Sequence, residues 1–158
     1  MEFEEFRWKL IGPARVSATT FREVAHIVEG QKPLLIAEEE TVRHGCRSMR
    51  RRKSGSTLVV DRHQRLSGIF SGRDAVRVLA AVEDAAAARL AEAMTRNPVT
   101  ITPESSAIDA LRAMNDGGFR HLPVIDNGKI LGVVSRSDFT GIEIDRLDEE
   151  EHLKEVIW

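Results

Sequence analysis

Two phrases in the sequence carry a hydroxyl and a carboxylate at one spacing: Gly68-Ile69-Phe70-Ser71-Gly72-Arg73-Asp74 and Gly132-Val133-Val134-Ser135-Arg136-Ser137-Asp138. Each follows an apolar run and precedes a stretch of helical composition, so each reads as a strand-to-helix junction. Unpaired N–H groups at a helix start, with the positive end of the helix dipole, favour a phosphate. A carboxylate three residues on accepts two hydrogen bonds from a diol. The repeat suggests two equivalent binding sites. Ser-x-x-Asp is equally a plain helix cap that needs no ligand, and the residue types leave both readings open.

Catalytic chemistry finds no counterpart. His26, His44, His63, His121 and His152 are scattered without metal-ligand spacing. Cys46, the single cysteine, falls on the apolar side of its helix and reads as core; a lone cysteine also forms no internal disulfide and fits a reducing cytoplasm. Neither a P-loop nor a Gly-x-Gly-x-x-Gly fingerprint is present. The chain reads as a binding module and not an enzyme, with no cofactor required.

The phrases must be positioned by repeated elements. Lys32 to Ile36 matches Asn97 to Ile101 at an offset of 65, as Thr41 to Met49 matches Ser106 to Met114 and Thr57 to Asp61 matches Leu122 to Asp126. The offset falls to 64 at Gly68 and Gly132, because Arg62 to Arg65 is one residue longer than Asn127 to Lys129. A polar surface turn tolerates such a change. Each copy reads strand, helix, strand, strand, helix. Leu34 to Ile36 is a short buried strand. Val42, Gly45, Cys46 and Met49 form one helix face, which Ala107, Ala110, Leu111 and Met114 repeat. The hairpins are Thr57 to Val60 with Leu66 to Phe70, and Leu122 to Ile125 with Ile130 to Val134 around Asn127-Gly128. Thr20 and Glu23 form a capping box for a helix carrying Val24, Ile27 and Val28. The expected domains are a leader (1–19), a first repeat (20–81), an Ala-rich connector carrying helix (82–93), a second repeat (94–142) and an acidic tail (143–158) that forms a solvated helix.

At 158 residues, 42% hydrophobic and 30% charged, with six Phe, two Trp and no Tyr, the chain suits a globular protein with an aliphatic core. No apolar run reaches membrane-spanning length and the start is acidic, unlike a signal peptide. The expected location is cytoplasmic, with no membrane partner.

Met94 to Ile101, Arg120 to Asp126 and Gly132 to Asp138, with the weaker copies Gly55 to Asp61 and Gly68 to Asp74, make the sequence resemble the CBS-domain pair, or Bateman module, over residues 20 to 142. The resemblance implies an α/β (α+β) fold of two β-α-β-β-α repeats about a pseudo-twofold axis. It also implies a disc-shaped homodimer and an adenosyl ligand between the repeats: AMP, ADP, ATP, S-adenosylmethionine or NAD(H). By family pattern Asp74 and Asp138 take the ribose, Ser71 and Ser135 supply the hydroxyls, and Arg120 and His121 reach phosphate. The second site is expected to comprise Thr95, Val99, Thr100, Thr102, Arg120, His121, Pro123, Ser135, Arg136 and Asp138. The first comprises Leu35, Ile36, Ser56, Ser71, Arg73 and Asp74, and lacks a basic pair because Gly55 and Ser56 stand there. That first phrase is as readily a cap, and His121 as readily a satisfied strand-end histidine.

Arg43, Arg47, Arg50, Arg51, Arg52 and Lys53 have no acid among them from Thr41 to Val60. They read as the solvated face and C-terminus of a helix, where cations suit the dipole. The alternatives are a cluster near ligand phosphates and a nucleic-acid footprint, and against the latter stands the lack of interleaved aromatics. The expected function is a nucleotide sensor that passes occupancy, through dimer geometry, to a protein effector the sequence does not name. Its rivals are a nucleic-acid-binding protein and a ligand-independent dimerisation scaffold.

Overall fold

The computed structural model describes residues 22–157. The clearest product of the duplication is a pair of matching helices, α2 (Val42–Arg52) and α5 (Ala107–Gly117). Thr41 and Ser106 cap them, each side-chain oxygen accepting from the backbone N–H three residues on, at 3.1 Å. Both end on a left-handed residue, Lys53 (φ 51°) and Gly118 (φ 66°), whose N–H closes onto the last-turn carbonyls. The buried faces are Val42, Gly45, Ser48 and Met49, and Ala107, Ala110, Leu111 and Met114.

Four strands form the first sheet: β1 (Leu35–Ala37), β2 (Ser56–Val60), β3 (Leu66–Ser71) and β4 (Thr95–Arg96), in that order, β1 and β2 parallel and the rest antiparallel. The second holds β5 (His121–Asp126) and β6 (Lys129–Ser135). Asn127 (φ 46°) and Gly128 (φ 80°) both take the positive φ that a tight hairpin turn needs. The remaining helices are α1 (Val24–Val28), α3 (Gly72–Ala81), α4 (Leu90–Ala93) and α6 (Gly141–Ile157), with a 3₁₀ turn at Arg136–Asp138.

Packing crosses the chain order. Val24 and Val28 of α1 are buried with Leu111, Met114, Leu122, Val124 and Val134 of the second repeat. Leu90, Ala93 and Met94, which precede the second repeat, are buried with Met49, Val59, Phe70 and Val78 of the first. Each repeat is too small to enclose a core, so each is closed by the segment that leads into the other. The exchange is tied reciprocally. Val24 N–H donates to Ser105 O and Ala107 N–H to Arg22 O; Val42 N–H donates to Ala88 O and Leu90 N–H to Glu40 O, all at 2.7–2.8 Å. Gly68 and Gly132 are where the crossing segments press closest. A Cβ on Gly68 would lie 2.6 Å from Thr95 O, and one on Gly132 2.6 Å from Gln31 Oε1.

Five expectations need correction. α1 starts at Val24 with Glu23 as its N-cap residue, because Glu23 is spent on a bridge to Ser106; Thr20, read as the cap, lies outside the described residues. Of Leu34 to Ile36, only Ile36 is a buried strand residue, while Leu35 is 40% exposed. Asn97 to Ile101 is not a strand: Asn97 takes φ 45°, Pro98 has no N–H to pair, and only Ile101 bridges Val124. Helix in the connector is confined to α4, with turns before it. The acidic tail is not wholly solvated, since Glu143 is bonded to Arg22 at 2.9 Å and Leu147 is in the core.

Candidate functional site

The strand β3 delivers Ser71 to the start of α3, where the Asp74 carboxylate turns back. Its Oδ2 accepts from Ser71 N–H (2.9 Å) and Ser71 Oγ–H (3.0 Å). Its Oδ1 accepts from the Arg77 guanidinium and from the Thr95 hydroxyl, both at 3.0 Å. Thr95 reaches it because β4 pairs with β3 at Ile69. Asp74 is therefore buried, with donors in four directions, and ties the two repeats together.

The partner junction is differently furnished. Ser135 N–H donates to Asp138 Oδ2 at 2.6 Å, while the Ser135 hydroxyl shares a bond with Ser137. Among the described residues nothing donates to Asp138 Oδ1. At the 64-residue offset Gly141 stands where Arg77 stands. Gln31, which occupies the place of β4, spends its amide on the Val133 backbone at 3.0 and 3.1 Å.

Two clefts open at these junctions, and each mixes the repeats. The larger, about 550 Å³, brings Ile69, Ser71, Arg73 and Asp74 against Thr95, Asn97, Pro98, Val99, Gly117, Gly118, Phe119, Arg120 and His121. Its size lies in the range of small-molecule sites. Arg73 crosses it to donate to Gly118 O at 2.7 Å. The smaller, about 340 Å³, brings Ser135 and Asp138 against Lys32, Pro33, Leu34, Arg52, Lys53, Ser54 and Ser56. Gly55 and His121 line both. The imidazole fills the space a side chain at Gly55 would need, with Nε2 only 2.9 Å from where its Cβ would be. Burial pushes the His121 pKa below its ordinary value, Arg120 pushes it the same way, and Asp138 opposes them.

The expected partition into two sites is thus redrawn. Thr95, Val99, Arg120 and His121 join Ser71, Arg73 and Asp74 in the larger cleft; Ser135 and Asp138 join Ser56 in the smaller. The repeats face each other, so each junction meets loops of the opposite repeat as well as Gly55 or His121 of its own. Leu35, Ile36, Thr100, Thr102, Pro123 and Arg136 line neither cleft. Ile36 is core, Pro123 pairs with Val133 in the hairpin, Thr102 bonds Ser105 in a turn, and Arg136 bonds the Asn115 side chain. Sequence reasoning missed Lys32 as a cleft residue, and placed Arg52 and Lys53 near ligand phosphates only as an alternative to a solvated helix face. They match Asn97, Gly117 and Gly118 of the larger cleft at the 65-residue offset, so the duplication extends to the cleft walls.

A sequence profile of the CBS domain matches residues 19–81 and 90–144. The chain belongs to the CBS-domain family. A CBS domain-containing protein of Arabidopsis thaliana (CBSCBSPB2) is 40% identical over 104 residues, 65% of this chain and 19% of that one. The CBS pair thus aligns with about a fifth of that relative's length. Its fold is that of a CBS-domain containing protein from Agrobacterium tumefaciens, at 25% identity and TM-score 0.72, covering 77% of this chain and 92% of that one. A CBS domain protein from Pyrobaculum aerophilum, solved in complex with AMP, superposes with TM-score 0.73 at 21% identity over 81% of this chain and 99% of that one. Among the described residues of the CBS pair, no cluster of three His, Cys, Asp or Glu is placed to hold a metal, and no helix is long and apolar enough to cross a membrane.

Proposed function

We propose that this CBS pair is a regulatory sensor of an adenosyl ligand, bound between the repeats and signalling through the geometry of a homodimer to a protein effector. The observation that carries the reading is the larger cleft, where a Ser-x-x-Asp junction of one repeat faces Arg120 and His121 of the other. Arg73, Arg120 and His121 suit a phosphate. Ile69, Pro98, Val99 and Phe119 give apolar surface to an adenine ring. The Pyrobaculum protein, solved with AMP, shares the fold; at that identity the likeness is one of fold, so the argument rests on these side chains.

A ribose diol that takes the oxygens of Asp74 must displace Thr95 or Arg77. Occupancy then exchanges the tie between repeats for a bridge through the ligand. The ligand moves the equilibrium between arrangements by its difference in affinity for them. Asp138 accepts a diol without that exchange. Calorimetry and thermal melts with AMP, ADP, ATP, S-adenosylmethionine and NAD(H) test the reading. At least one should bind and raise the melting temperature, and Arg120→Ala should weaken a phosphorylated ligand about tenfold or more. Absence of heat and of any stabilisation with all five overturns it.

A further inference from the structure

One histidine belongs to both clefts. His121 opens β5 and pairs across the hairpin with Ser135, which begins the junction of the smaller cleft. The same imidazole lines the larger cleft with Arg73, Asp74 and Arg120. At the 65-residue offset its counterpart is Ser56, which pairs with Ser71 in the same way. The duplication therefore provides this position twice and an imidazole once. Room for the ring comes from Gly55 of the opposite repeat, where a Cβ would lie 2.9 Å from Nε2 and 3.1 Å from Cε1.

We propose that His121 couples the two clefts through one shared proton: the first anionic ligand charges the imidazole, and a second, in the other cleft, finds it already charged. The proposal deepens the sensor reading above and rests on it for the ligand. A neutral imidazole has one N–H to donate, whereas an imidazolium has two. Burial holds the free ring towards its neutral form, Arg120 does the same, and Asp138 opposes them. The other charged groups lining the clefts are Arg73 and Asp74 on α3, Lys32 before β1, and Arg52 and Lys53 at the end of α2. Of these residue types only histidine ordinarily titrates near neutral pH. An anion entering either cleft first must draw the proton, so its affinity is reduced by the small fraction of chains that already carry it. The second anion escapes that reduction, which grows by about tenfold at most for each pH unit above the folded pKa. Repulsion between the two anions is offset locally, since Arg73 and Arg120 serve one cleft and Lys32, Arg52 and Lys53 the other. An uncharged adenosyl ligand draws no proton and is not coupled.

Titration calorimetry of the whole chain with AMP, at about pH 7.5 in two buffers of different ionisation enthalpy, tests this. AMP should bind in two steps, the second about fivefold or more tighter than the first. About one proton should be taken up per chain over both steps. Adenosine should bind without proton uptake and without coupling. The coupling should shrink as the pH is lowered to the folded pKa of His121, read from its imidazole NMR signals, and this arm needs no variant. His121→Gln should bind AMP in two equal steps with no proton, as should His121→Lys, whose charge is fixed. Two independent steps in the wild type, a single occupied cleft, two protons or none, or coupling that survives in either variant overturns the proposal. Inorganic pyrophosphate separates its failure from that of the sensor reading. Pyrophosphate that binds in two coupled steps with one proton, where no adenosyl compound gives heat, sinks the sensor and leaves the shared proton standing. AMP that binds without proton uptake does the reverse. A chain that binds neither an adenosyl compound nor pyrophosphate overturns both.

Discussion

The two clefts start from one phrase and end with different chemistry. At Asp74 the carboxylate receives four donors and ties the repeats together; at Asp138 a single backbone N–H turns one oxygen inward and the other stays open. The Asp74 cleft is wider and more apolar, with Arg73, Arg120 and His121 as its charge. The Asp138 cleft is smaller and takes its charge from Lys32, Arg52 and Lys53. A duplicated motif therefore specifies a backbone conformation, while its neighbours decide whether the carboxylate is a strut or an available acceptor. Here the deciding neighbours are Arg77 and Thr95, whose counterparts Gly141 and Gly30 have no side chain to offer Asp138, while the adjacent Gln31 bonds the Val133 backbone.

That contrast can be broken by mutation. Asp74→Ala should cost about 2 kcal/mol in urea unfolding, since it removes a buried carboxylate that accepts four hydrogen bonds from Ser71, Arg77 and Thr95. Asp138→Ala should cost about 1 kcal/mol, the loss of a cap. Equal losses would erase the distinction. The glycines of the two phrases sharpen it. Gly68→Ala meets the fixed Thr95 carbonyl and Met94 Sδ, and should destabilise by about 2 kcal/mol. Gly132→Ala meets the end of the flexible Gln31 side chain and Val28, and should cost about 1 kcal/mol by the same measurement.

The wall the clefts share supplies smaller effects. Gly55→Ala should displace the His121 ring, visible as a shift of its imidazole NMR signals, and weaken ligand in both clefts together. An effect confined to one cleft would show that the wall is not shared. His121 also predicts a pH response. Its folded pKa lies below the ordinary value near 6.5, so on acidification the unfolded chain takes up this proton first. Stability should decline as pH falls below about 6.5 and level off below the folded pKa. His121→Gln should flatten that part of the curve, as read from melts at closely spaced pH values.

Much of this architecture was legible in advance. The helix faces of α2 and α5, both hairpins and the Asn127-Gly128 turn follow from periodicity and turn chemistry, which depend on near neighbours. Three of the four failures share one physical origin. The cap of α1, the short connector helix and the half-buried start of α6 involve segments whose backbone or charged groups are satisfied by the opposite repeat, whereas the missing strand at Asn97 to Ile101 follows from the positive φ of Asn97 and the absent N–H of Pro98. Of the expected site residues, those of the two junctions and the Arg120-His121 pair line clefts, and six others do not. Ser71, Asp74, Arg120, His121, Ser135 and Asp138 all line clefts, yet the sequence assigned each junction to its own repeat.

By itself the sequence determined two copies of one unit, their phase, and the family to which they belong, because local patterns and a fixed offset survive without knowledge of contacts. Tertiary structure alone decided which repeat faces which junction and which core each leading segment completes. It also decided which of two identical Ser-x-x-Asp phrases keeps a free carboxylate oxygen. Those outcomes depend on hydrogen-bond partners that lie about twenty or a hundred residues away along the chain, Thr95 for Asp74 and Gln31 for Val133, and that meet only when one repeat closes on the other.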